Sequence, residues 1–504
     1  MEPVAPPPPA PQPLRLLLGS TVESLDPGQG SLSAIIDQLF SGLVAPTPDM
    51  DVVPDVARRW EVLEGGRKYV FHLRDDVQWS DGTPLTAGDF EYAWKRNLHP
   101  TAGSPRADLL YDIKGARLYH HGKAERGAVG VHALDTVTLV VEVERPIGYL
   151  PHLLTHSITC PVPRHCVEAY GEEWTAVDRI VTNGPFRLES WEQGEQLVLV
   201  RNETYHGRFR GNVEKVVLLV PGDIWGIVDW DAHALALYER DGVDVMRIGE
   251  AVAQARERHA DEHLSFPMLW TIWLSFDLSQ PPFNDLRVRQ AFAMAIDRAR
   301  FQNEVTRGLF TPADGGLLPP AMPGHSPGIG PTYDPVRARC LLAEAGYAEG
   351  QGFPRIHGMG GTSQESEFLQ AQWQENLGVQ VDWQTLDVAT AYARASREPP
   401  PLFFGAEMPD YPDPNSYMRG FFQLPYIYWR KEAFDGLVEK AGQVTNQEER
   451  MKLYQQADRI FVDELPLTPL FYGRLHILVK PWVHKYLLSP AWKAFWQDVI
   501  LDPH

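Results

Sequence analysis

Residues 79–89 read Trp79-Ser80-Asp81-Gly82-Thr83-Pro84-Leu85-Thr86-Ala87-Gly88-Asp89. Gly82 and Pro84 punctuate a turn, because their backbone preferences do not suit a continuing strand. Thr86 is an N-cap residue type, and Phe90, Tyr92, Ala93 and Trp94 follow it as a helix would. Upstream, Trp60 and Val62 alternate before Gly65-Gly66, and Tyr69, Phe71 and Leu73 alternate after it. Residues 60–74 therefore predict a hairpin. Downstream, residues 136–143 predict a strand. A hairpin, a capped helix and a further strand make this region mixed α/β.

The same reading extends to both ends. The apolar run at 14–18 predicts a buried strand, and Ile35, Ile36, Leu39, Phe40 and Leu43 share one helical face over 34–43. Alternating segments flank Gln193-Gly194 within 180–201. Residues 284–301 predict one amphipathic helix, capped by Asn284 or Asp285, with Val288, Ala291, Phe292, Ala295 and Ile296 inward. Residues 445–463 predict another, opened by a Thr445/Glu448 capping box. Trp270 to Phe276 and Phe471 to Val479 are strand-like. No short internal repeat is found.

The chain has 504 residues, too many for one hydrophobic core, so it divides into lobes. Its formal charge of −20 repels phosphate backbones and anionic lipid, and no basic run reverses this. Nucleic acid is therefore not an expected partner. No stretch approaches the about 18 apolar residues of a membrane span. Residues 1–13 read as a proline-rich linker, with none of the basic start, apolar region or cleavage site of a secretory signal. Three origins fit such a start: a mature chain after signal removal, a piece cut at a linker, or a sensor that was never exported.

Catalytic signatures are missing. There is no G-x-S-x-G elbow, no P-loop and no G-x-G-x-x-G after a strand. The glycines of 357–362 lack a following Lys-Ser or Lys-Thr and read as a mobile loop. His259 and His263 are spaced to share a helical face, but the sequence between them does not make a zinc motif, and a solvated face is the simpler reading. The 3 cysteines fit either a Cys160–Cys166 bridge or free thiols at all positions. No cofactor and no metal is expected. One acidic cluster stands out: Glu407, Asp410 and Asp413, after the strand-like Phe403-Phe404 and around the rigid Tyr411-Pro412-Asp413-Pro414. Carboxylates at the end of a buried strand can receive a cation. Equally, Asp413 can cap the next helix and Asp410 can support the turn.

An ordered set of segments then resembles the peptide-type solute-binding proteins of ABC importers, the oligopeptide/dipeptide-binding family (family 5). The set begins with Leu25-Asp26-Pro27, Leu39 to Val44 and Pro54 to Glu61. It continues with Tyr69 to Arg74, Trp79 to Asp89, Leu134-Asp135 with Thr138-Leu139, Asn183 to Phe186 and Arg201-Asn202 with Tyr205. It closes with Pro282 to Ala291, Asp297-Arg298, Asp410 to Pro414 and Val479 to Val483. Each segment alone is weak; the order over residues 14–490 is specific.

The resemblance implies an α/β, two-lobed type II (Venus-flytrap) periplasmic-binding fold with an extra subdomain in the first lobe. Lobe I is expected at 14–45, 176–268 and 472–504, the subdomain at 46–175, and lobe II at 269–471. It implies a monomeric, non-enzymatic receptor at the periplasm or cell-envelope exterior. Such a receptor closes over a short peptide and delivers it to the transmembrane subunits of an ABC permease. The bound peptide lies extended, like an added strand. In peptide-binding relatives an aspartate of the D-Y segment pairs with the peptide α-ammonium, and the matching position is Asp410. Tyr411, Glu407, Trp273 and Tyr472 are the further expected cleft residues, although each of these aromatics also suits a core, Tyr472 most of all. Glu407 departs from the family pattern and would favour basic ligands. The alternatives are a ligand-sensing regulatory domain, or the same fold holding a nickel chelate, an opine or a sugar.

Overall fold

The structure is a computed structural model, and it describes residues 12–19, 21–30, 33–220, 230–249, 251–421, 427 and 429–504. The proline-rich start expected over 1–13 lies outside the described residues as far as residue 11. The chain forms two compact units. One is Met1–Arg145, Leu154–Leu264 and His476–His504; the other is Pro146–Leu153 and Ser265–Leu475.

In the first unit, Leu14–Leu17 is the parallel partner of both Lys215–Leu219 and Val245–Ile248. The hairpin Phe186–Glu192/Gln196–Arg201 extends the sheet beyond Lys215–Leu219. Arg15 reaches Asp244 at 2.6 Å, and the fully buried Asp244 also accepts from the Trp482 indole at 3.0 Å. A second sheet orders Ala57–Leu63, Lys68–Leu73, Thr138–Glu142 and Val131–Ala133. The helix Ala87–Asn97 starts where Thr86 and Asp89 form a capping box, so the orphan amides of its first turn are satisfied. The Asn183 amide exchanges hydrogen bonds with the main chain of Ser41 (3.0 and 3.1 Å). A side chain on Gly184 would stand 2.5 Å from the Gln38 carbonyl, so this turn is a packing joint.

In the second unit, the sheet order is Val381–Gln384, Ile356–Gly360, Leu402–Glu407 and the Thr271–Phe276 part of a longer strand. Only the last pairing is antiparallel. The glycines of 357–362, read as a loop from sequence, are instead largely strand. Gly358 is required there because a Cβ would meet the Trp383 ring at 2.2 Å. Ile272, Leu274, Phe292, Leu369 and Trp373 form the core with their neighbours. Removing a side chain the size of Trp373 from such a core costs about 3–5 kcal/mol.

Some expected elements differ in detail. The helix expected over 34–43 closes at Leu39. The single helix expected at 284–301 is split into Leu286–Met294 and Arg298–Phe301. Asp297 causes the break: its carboxylate accepts from the Arg300 amide at 2.9 Å and starts a new cap, while Asn376 donates to the freed Ala295 carbonyl at 2.9 Å. The helix Gln447–Glu464 is capped by Asn446, one residue later than the expected box, because the Asn446 side chain reaches the Glu449 amide (3.0 Å). His259 ends a helix and His263 opens a strand, so the two share no helical face. Cys160, Cys166 and Cys340 are free thiols.

Candidate functional site

The strand Leu402–Glu407 runs buried from Leu402 to Gly405 and becomes half-buried at Ala406 and Glu407. Its packing is set by Trp273 on the paired strand, whose ring fills the space a Gly405 side chain would need and meets Phe403 edge-on at 5.8 Å. The Tyr392 hydroxyl both donates to the Ala406 carbonyl and accepts from its amide, each at 2.7 Å. The Tyr417 hydroxyl donates to the Glu407 carbonyl at 2.9 Å, and burial pushes that phenol far above its ordinary range.

After Met408 and Pro409 the chain turns, and burial deepens again. Asp410 is half-buried, whereas Tyr411, Asp413 and Asn415 are 5%, 1% and 3% exposed, so the turn rests on a dry foundation. Asp413 accepts from the Asn415 amide (2.9 Å) at the start of the helix Pro414–Phe421. Proline suits that first helical position because no amide is needed there. The other Asp413 oxygen receives Arg450 through two guanidinium nitrogens, at 2.9 and 3.1 Å. A buried pair of this kind holds only because the hydrogen bonds offset lost hydration. Tyr411 donates to Asn415 (3.0 Å), and Asn415 donates to Tyr454 (3.2 Å). The Asp410 amide donates to Ser416 Oγ at 2.8 Å.

A distant segment completes this platform. Tyr149 stacks on Tyr411 with centroids 5.8 Å apart and planes 11° apart, and Arg419 donates to its hydroxyl at 2.8 Å. His152 lies 4.0 Å from Asp413. The approach depends on Gly148, whose amide donates to the Gly442 carbonyl (2.7 Å) and whose Cβ position would be 1.9 Å from the Val444 carbonyl.

Of the residues expected from sequence, Asp410, Tyr411 and Glu407 share this strand end and its turn. Trp273 and Tyr472 are 0% and 1% exposed, the interior one of the two placements open to them. The Tyr472 hydroxyl donates to the Gly316 carbonyl at 2.8 Å. That loop is held by Asp458, which accepts from the Leu317 amide at 2.8 Å. Burial pushes the Asp458 carboxyl up to about 7, while the Leu317 and Leu318 amides pull it down. Tyr149, His152, Arg419, Arg450 and Asp458 were missed from sequence. The Pro146–Gly148 turn signal marks a tight spot but not its partner, which lies near residue 442.

A family model described as "Bacterial extracellular solute-binding proteins, family 5 Middle" matches residues 51–427. The chain belongs to this family. As a family 5 solute-binding protein it has the two-lobed α/β fold. It is 32% identical to the probable deoxycholate-binding periplasmic protein YgiS of Escherichia coli (strain K12), over 95% of this chain and 92% of that one. It is 31% identical to the periplasmic oligopeptide-binding protein OppA of the same strain, over 93% of this chain and 88% of that one. Among solved structures it is similar to the unliganded open form of the periplasmic murein tripeptide-binding protein MppA, with a TM-score of 0.84, 26% identity and 98% of both chains covered. Among the described residues no helix is long and apolar enough to cross a membrane.

Proposed function

We propose that this family 5 protein is a non-enzymatic, monomeric receptor for short peptides. It works at the periplasm or cell-envelope exterior and hands its ligand to the transmembrane subunits of an ABC import permease. The observation that carries this reading is Asp410: a half-buried carboxylate three residues past the end of the strand Leu402–Glu407, on a turn whose neighbouring polar groups are already engaged with one another. A charge held on so stiff a support is pre-organised for a peptide α-ammonium, and low local dielectric strengthens the pair. Tyr411 and Glu407 flank the ligand, and Glu407 favours basic side chains. Trp273 and Tyr472 act from behind as packing.

Lobe I comprises residues 14–45, 176–268 and 472–504, with a subdomain at 46–175, and lobe II comprises 269–471. The division into compact units near Leu264 and Leu475 supports this partition, with the difference that Pro146–Leu153 groups with the second unit. The periplasmic names of the relatives support the location.

Tyr392 favours a second reading, a solute with no peptide backbone, because it already takes both main-chain groups of Ala406. Native mass spectrometry of the purified protein, followed by calorimetry with free-amine peptides, their N-acetyl forms and deoxycholate, separates the two. Peptide masses, with affinity lost on N-acetylation and on Asp410→Ala, are expected. Equal affinities for wild type and Asp410→Ala would remove Asp410 from the site, and a retained bile acid would favour the second reading.

A further inference from the structure

In the first unit, Asp81, His165 and Cys166 converge. One donor atom from each lies within 4.8 Å of the others. Asp81 belongs to the turn 79–84, which is locked by Trp79 N–H donating to the Thr83 carbonyl (2.8 Å) and Ser80 N–H donating to the Thr182 carbonyl (2.7 Å). His165 and Cys166 open the helix Arg164–Tyr170. His165 Nε2 is 2.8 Å from Asp81 Oδ2, while the other Asp81 oxygen accepts from the Thr83 amide at 2.9 Å. Cys166 is 5% exposed and, among the described residues, its thiol has no hydrogen-bond partner. Asp81 and His165 keep 35% and 41% of their side-chain surface open to solvent.

We infer that Asp81, His165 and Cys166 form a binding site for a borderline-soft divalent transition-metal ion such as Zn²⁺. A carboxylate oxygen, an imidazole nitrogen and a thiolate sulfur are a donor set that zinc accepts, and three protein ligands leave a fourth position for water. With zinc–ligand bonds of about 2.0–2.3 Å, tetrahedral donors stand about 3.4–3.6 Å apart. The hydrogen-bonded pair is slightly closer than this, and the 4.8 Å limit on the set is slightly wider, so modest side-chain rotations suffice. The open faces of Asp81 and His165 give the ion its entry and the fourth ligand its place. On binding, Nε2 and a carboxylate oxygen both ligate the ion, so the neutral imidazole carries its single proton on Nδ1, and Cys166 releases its thiol proton to solvent. The ion then ties the 79–84 turn to the helix at 164–170, and it stabilises the folded chain by mass action.

Cobalt(II) titration of the tag-free, fully reduced chain tests this, with the metal alone as probe. Wild type is expected to develop a thiolate-to-cobalt charge-transfer band that saturates at one ion per chain. Zn²⁺ should quench it. Cys166→Ser should abolish it, His165→Gln and Asp81→Asn should weaken it, and Cys340→Ser should leave it intact. Zn²⁺ should also raise the melting temperature of wild type and Cys340→Ser but not of His165→Gln, a surface change that does not depend on how Cys166→Ser folds. No band in wild type, or a band that survives Cys166→Ser, overturns the assignment.

Discussion

Asp413 and Asp458 belong to the same unit and are 1% and 0% exposed, yet their burial is met in opposite ways. Asp413 has a guanidinium: Arg450 reaches one oxygen at 2.9 Å, and the Asn415 amide serves the other. Asp458 has main-chain amides and, among the described residues, no arginine as a hydrogen-bond partner. Its second oxygen, among the described residues, has no hydrogen-bond partner, and its carboxyl is pushed up to about 7. A buried acid can keep its charge if a fixed cation shares the site, or it can hold a proton. The turn built on Asp413 is thus held by an ion pair and a main-chain amide beneath Asp410, whereas the loop 315–318 rests on a carboxyl that burial pushes up to about 7.

The largest expected change comes from breaking the pair. Asp413→Ala strands Arg450 in the interior and should lower unfolding free energy by about 3–5 kcal/mol. Urea denaturation measures this, and a loss under about 1 kcal/mol would mean the two carboxylates do not differ as described.

Next is the pH dependence of Asp458. Its folded-state value of about 7 is raised from an ordinary carboxylate value near 4, so between these the folded chain retains a proton that the unfolded chain has released. Stability from this group is therefore full below about pH 4 and is lost as pH rises towards 7. Asp458→Asn cannot ionise. Its melting temperature relative to wild type should climb across that window, and a pH-independent difference would contradict protonation.

Tyr411→Phe removes one neutral hydrogen bond to Asn415 and should destabilise by about 1 kcal/mol, read from the same denaturation curves. The smallest stability change is expected at Asp410. Asp410→Asn should stay within about 0.5 kcal/mol of wild type, because the half-buried carboxylate is not the turn's foundation. Its free-amine peptide affinity should nevertheless fall by about tenfold or more. A large loss of stability would make Asp410 structural instead.

The strand Leu402–Glu407 was legible because Phe403-Phe404 is apolar and is followed by Pro409 and Pro412. The capped helix after Thr86 was legible because capping is decided within three residues. The split at Asp297 was not, since a mid-helix aspartate caps only when something else, here Asn376, satisfies the carbonyls it frees. Gly358 was misread for a similar reason, because the need for glycine comes from the Trp383 ring and not from a turn.

From sequence alone came the α/β class, the ordered family segments and the placement of Asp410, Tyr411 and Glu407 on one strand end. These depend on residue type and near-neighbour spacing, which the chain carries locally. Tertiary structure alone decided that Tyr149 stacks on Tyr411, that Arg450 pairs with Asp413 while Asp458 is met by the Leu317 amide, and that Asp81 meets His165 and Cys166. Those outcomes depend on which distant side chains share one dry or solvated volume, and no local pattern encodes a partner dozens or hundreds of residues away.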